Sequence, residues 1–171
     1  APAFQAFGKS SFDLFPIQNL SLIPWVLLIL FPGWRRTRSL AVIPPLIHSC
    51  LYVAVMAHAL MNPAGAIDVT SLQGILAAFK NPDGVFAAWL HYCVFDPLVG
   101  LGMVTDSRNI GMPHLAVVPC LLLTMLAGPS GFLLYMIFRT MYLAVKQPRG
   151  VKGLLMEKTW IRSFFYKVLC T

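Results

Sequence analysis

The sequence predicts an all-α integral membrane protein: a bundle of four transmembrane helices bent by prolines, with a basic amphipathic helix in the C-terminal tail. Three observations carry this prediction. Hydrophobic residues make up 58% of the 171 residues and charged ones only 11%, whereas soluble domains carry roughly 25% charge. Uncharged or nearly uncharged runs long enough to cross a bilayer recur along the chain. The basic excess, 13 Lys+Arg against 6 Asp+Glu, gathers at the end, where Arg139, Lys146, Arg149, Lys152, Lys158, Arg162 and Lys167 all follow Phe138.

The first span runs from Leu14 to Phe31, interrupted only by Gln18, Asn19 and Ser21, and ends in PGWRRTR, whose Trp34 and arginines suit the headgroup layer. Leu40 to Leu60 is uncharged and covers about 30 Å at roughly 1.5 Å per residue, so it forms the second span despite Pro44 and Pro45. Asn62 to Asp83 has turn signals at both ends around Ser71 to Phe79, which predicts a surface connection with a short interfacial helix. Val85 to Val104 is the third span, with Asp96 its only charge, and Leu115 to Phe138 the fourth, opened by Pro113. Residues 12–139 thus form the transmembrane domain and 140–171 the extension. In the extension, Leu154, Ile161, Phe165 and Val168 recur at helical spacing among Lys158, Arg162 and Lys167, the pattern of a helix lying on a membrane or a partner.

Each proposed crossing contains proline, namely Pro24, Pro44–Pro45, Pro97, and Pro119 with Pro129. Proline kinks leave clefts, and Gly100, Gly102, Gly128 and Gly131 allow backbones to approach beside them or simply serve packing. Four crossings place both termini on one face with Lys9, Lys80 and the seven tail cations, against Arg35, Arg36, Arg38 and Arg108 on the other; this favours a cytoplasmic or stromal side for the termini.

The composition also narrows the partners. No soluble basic face exists to follow a phosphate backbone, so membrane lipid or an acidic neighbour suits the charge better than nucleic acid. Cys50, Cys93, Cys120 and Cys170 are far apart and lack metal-site spacing, so they read as small apolar residues. The chain opens on Ala1 without an Arg/Ser-rich leader, which suggests a processed or shortened N-terminus.

Chemistry concentrates between Gly84 and Pro119. An ionised Asp96 near mid-membrane costs roughly 2.5 to 3.5 kcal/mol on insertion scales, so it needs a partner, a proton or a role. His91 stands five positions earlier, about 140° away around the helix. For both, a hydrogen bond within the bundle and a functional role are open readings. The connection TDSRNIGMPHL brings Asp106, Arg108 and His114 together: Asp106 can pair with Arg108, and His114 in the first turn of the next helix is a base, a ligand or a cap. Serine-nucleophile, phosphate-loop, HExxH and Rossmann patterns are absent. A small acid/base set beside an apolar cleft suits redox-neutral work on a lipophilic molecule, or holding one.

WLHYCVFDPLVG and DSRNIGMPHLAVVPCLLLTMLAGPSGFLLY, with the PW and RRTR features around the first span, resemble the abscisic-acid-deficient-four family of plastid and cyanobacterial four-helix membrane proteins. The resemblance covers roughly Phe12 to Arg139. It implies a plastid membrane, thylakoid or envelope, and a xanthophyll as the small molecule, with His91, Asp96, Asp106, Arg108 and His114 as the residues of interest. Converting the 5,6-epoxide of violaxanthin to the allene of neoxanthin needs an acid on the epoxide oxygen and a base for a polyene proton. On this reading Asp96 is the acid, His114 the base, and Arg108 orients Asp106 in a redox-neutral isomerase.

The tail from Lys146 to Thr171 departs from the compact family pattern, which favours a pigment-binding accessory subunit docked on photosystem or antenna subunits. There His48, His58 or His91 would be axial ligands for chlorophyll beside a bound carotenoid. A bare scaffold would leave Asp96 and the polar connection unexplained.

Overall fold

The computed structural model describes residues 3–6, 8–62, 68 and 70–146. They fall into two units, Ala1–Ile23 with Val42–Phe95, and Pro24–Ala41 with Asp96–Thr171. The described part is helical apart from connections and one small hairpin, and three of its helical stretches, Ser11–Leu30, Thr37–Met61 and Pro82–Ile110, are long and apolar enough to cross a membrane. The predicted helix of the tail lies outside the described residues.

The first unit opens on an antiparallel hairpin absent from the sequence-based expectation, β1 (Gln5–Ala6) paired with β2 (Lys9–Ser10). Gly8 supplies the positive φ of 72° that such a tight reversal requires. Ser10 then caps α1 (Ser11–Leu14) in a reciprocal box with Asp13. The predicted first span is helical but changes pitch, a 3-10 stretch over Phe15–Ser21 giving way to α2 (Leu22–Leu30). The second span is α3 (Thr37–Met61), which carries Pro44 and Pro45 without interruption.

The short helix of the surface connection is α4 (Leu72–Phe79), capped by the Ser71 hydroxyl on the Gly74 amide at 3.1 Å. Hydrogen bonds from Ser71 and Thr70 hold the Asp68 carboxyl down at about 2. Leu72, Leu76 and Phe79 are all at least half exposed, as expected of an interfacial helix.

Helix α5 (Pro82–Ile110) begins in this unit. Phe4, Leu14, Val55, Phe86, Ala87 and Leu90 form its apolar core. Buried Asp83 ties the N-terminal segment to the start of α5, accepting from the Phe4 amide at 2.9 Å and the Ser11 hydroxyl at 2.6 Å.

In the second unit, two boundaries differ from the sequence reading. Helix α5 continues through Asp106 and Arg108, so the expected connection shrinks to a turn at Gly111 (φ 74°), Met112 and Pro113. Thr105, Asp106 and Ser107 are buried there, and interior partners override the turn propensity of Asp, Ser and Asn.

The run Leu115 to Phe138 is not one helix. It is α6 (His114–Ala127) and α7 (Pro129–Lys146), separated at Gly128, whose φ of 34° few other residues tolerate. The Gly128 amide closes α6 on the Thr124 carbonyl at 2.8 Å, and Pro129 starts α7 with a preset φ. The two helices pack as an antiparallel pair. Gly131 permits their closest approach: a side chain there would collide with the Thr124 backbone and hydroxyl and with the Cys120 carbonyl.

Candidate ligand pocket

The antiparallel pair encloses a space against α5. A pocket of about 310 Å³ is lined by Asp96, Val99, Gly102 and Met103 from α5, by Thr124 and Gly128, and by Pro129, Phe132 and Tyr135 from α7. The wall is mostly apolar. Of its polar side chains, Thr124 already donates to the Cys120 carbonyl at 2.7 Å and Tyr135 to Asp106 at 2.6 Å. Asp96 is the only acid in the wall. Its Oδ1 approaches to 3.2 Å from where a Cβ on Gly128 would stand, so the glycine serves both the chain reversal and the seating of this carboxyl.

Behind the pocket lies a buried ion pair. Arg139 Nε donates to Asp106 Oδ2 at 2.7 Å and its second nitrogen reaches Oδ1 at 3.4 Å, while the Tyr135 hydroxyl completes the set. A charge pair removed from water holds when its geometry and remaining hydrogen bonds are good, and this one is forked with a third donor. Tyr135 therefore joins two features, its ring in the pocket wall and its oxygen on the ion pair.

The expected pairing of Asp106 with Arg108 is corrected. Residues two apart on a helix point about 200° apart, so Asp106 faces the interior and Arg108 the outside, where it donates to the Pro32 carbonyl at 2.6 Å. Arg108 therefore does not orient Asp106. Arg139 does, although the sequence reading counted it with the tail. The missed signal was an arginine inside an otherwise apolar helix, as much in need of a partner as Asp106.

His114 Nε2 donates to the Ile29 carbonyl at 3.0 Å, and its Nδ1 is buried without a hydrogen-bond partner. It is not part of the pocket wall, so Asp96 and His114 do not share that space.

The remaining histidines belong to the first unit. His48 is 0% exposed, and its Nε2 donates to the Ile17 carbonyl at 3.0 Å, leaving no open face for a macrocycle. His58 packs edge-on to Phe4 with centroids 5.5 Å apart. His91 is exposed among Phe95 at 4.6 Å, Tyr52 at 6.2 Å and Tyr92 at 6.3 Å. Of the three, only His91 is exposed. Among the described residues no cluster of His, Cys, Asp or Glu could hold a metal ion by itself.

Residues 13–135 match the ABA DEFICIENT 4-like family, a stretch that contains every residue of the pocket wall. No curated protein and no solved structure matches the chain. With most of its length inside that match, the chain belongs to the ABA DEFICIENT 4-like family.

Proposed function

We propose that the protein handles xanthophyll in a plastid membrane by holding the oxygenated end ring of the carotenoid in the pocket between α5, α6 and α7. The observation that carries this reading is a mostly apolar pocket wall with a single acid, Asp96. Ligand sites follow that pattern, an apolar lining with a few polar groups that fix orientation. A pocket of about 310 Å³ takes a ring rather than a whole carotenoid, so the polyene would run out along the lipid-facing surface. Family membership supports the substrate class. In this reading the protein serves as a pigment-binding subunit beside photosystem or antenna proteins.

Asp96 also favours a second reading, isomerisation of the epoxide of violaxanthin to the allene of neoxanthin. In that reaction a carboxyl at this position would deliver a proton to the epoxide oxygen. The base assigned to His114 is not on the same wall, which is why binding comes first.

One reconstitution separates the two readings. Purified protein in lipid, incubated with violaxanthin or neoxanthin, should retain pigment in its absorption spectrum, and Gly102→Leu should abolish retention by filling the pocket. Asp96→Asn should weaken retention by up to about tenfold, the value of one hydrogen bond. Wild-type protein that retains neither pigment ends the proposal, and chromatographic conversion of violaxanthin to neoxanthin promotes the second reading.

A further inference from the structure

Cations gather at the end of the second unit farthest from the Gly128 turn. Arg35 and Arg36 stand between α2 and α3, Arg38 in the first turn of α3, Arg108 in the last turn of α5, and Lys146 at the end of α7. Two contacts draw them together. Arg108 donates to the carbonyl of Pro32, in the connection that carries Arg35 and Arg36. The Tyr142 hydroxyl donates to the carbonyl of Gly111, just beyond α5, with Lys146 Nζ 5.0 Å from the centroid of the Tyr142 ring.

Arg35, Arg36, Arg108 and Lys146 are exposed and Arg38 is partly so. The unit's described acids do not answer them. Asp106 is buried on Arg139, and Asp96 lies at the pocket, twelve residues or about 18 Å back along α5.

The α6–α7 pair adds a constraint on how the chain crosses a membrane. Helix α6 has 14 residues, about 21 Å, and α7 reverses on it, so the chain returns to the end it left. That holds whether or not the turn at Gly128 reaches the far headgroups. Among the described residues, three stretches are then left to change sides.

We propose that this face lies in the headgroup layer of an anionic leaflet and binds acidic lipid headgroups, with the N-terminus and Lys146 on opposite sides of the bilayer. Arg35, Arg36, Arg38, Arg108 and Lys146 then share one side, against Lys9 and Lys80 on the other, which is the asymmetry that orients membrane proteins. This replaces the arrangement of four crossings with both termini on one face.

Two measurements on the full chain test it. In nanodiscs containing phosphatidylcholine and phosphatidylglycerol, native mass spectrometry should find phosphatidylglycerol retained in preference to phosphatidylcholine. Arg35→Gln with Arg36→Gln should reduce that retention by about fivefold per arginine, while Lys9→Gln with Lys80→Gln should leave it unchanged. Equal retention of the two lipids, or equal loss in both double variants, overturns the lipid site and leaves only a solvated face. In uniformly oriented sealed vesicles, an epitope before Ala1 and another inserted after Lys146 should differ in protection from added protease. Two protected or two digested epitopes overturn the topology.

Discussion

Both units tether a histidine to a backbone carbonyl in the same way, and they differ in what they build around it. His48 donates to Ile17 in the first unit and His114 to Ile29 in the second, each through Nε2 and each with a buried Nδ1 that has no partner. Around His48 the first unit is filled by side-chain volume: an apolar core, aromatic pairs such as Phe15 with Phe86 and Trp89, and one buried acid that accepts two uncharged donors. The second unit instead holds α5 to α7 with a forked ion pair and keeps a hollow beside it. A unit filled by rings gains stability from burial, whereas one clasped by charge can leave room for a guest.

The sharpest way to break this contrast is to remove the buried acid from each unit. Asp106→Ala strands the Arg139 guanidinium and should cost about 3–5 kcal/mol, against about 1–3 kcal/mol for Asp83→Ala, which strands only an amide and a hydroxyl. Unfolding in mixed micelles measures both. Equal losses would mean that the ion pair is no more than an ordinary polar contact.

A smaller effect tests the helix pair itself. Gly131→Ala pushes a methyl into the Thr124 backbone and should cost about 1–3 kcal/mol, whereas Gly33→Ala, with nothing within 4 Å of the new atom, should be close to neutral. The smallest difference concerns the shared tether. His48→Ala should cost about 2 kcal/mol and His114→Ala about 1 kcal/mol, because both free a carbonyl but only His48 is fully enclosed. If the order is reversed, the carbonyl rather than the enclosed volume sets the loss.

Much of the architecture was legible because lipid imposes length. The apolar runs at Leu40 to Leu60 and Val85 to Val104 fall inside α3 and α5, and the turn signals around Ser71 to Phe79 frame α4. Direction was harder to read. Leu115 to Phe138 is uncharged throughout, and hydropathy cannot distinguish a chain that continues from one that turns back. The reversal was written in Gly128–Pro129, the helix-stop glycine beside the helix-start proline, which also fits a kink.

At the site, the cost of a charge in lipid singled out Asp96 and the polar connection singled out Asp106, but neither signal named the right neighbour for Asp106. The bond between Asp106 and Arg139 links residues 33 positions apart and depends on the reversal that was missed. Arg108 was the nearer cation in sequence, but helical geometry points it away.

Tyr135 gives the hollow and the clasp a shared atom-by-atom boundary. A guest resting on its ring would press on a phenol whose oxygen is moored to Asp106, so occupancy and the grip between α5 and α7 would be linked. Linkage of this kind is reciprocal: whatever a guest adds to the cohesion of these helices, loosening the helices subtracts from the affinity for the guest by the same factor.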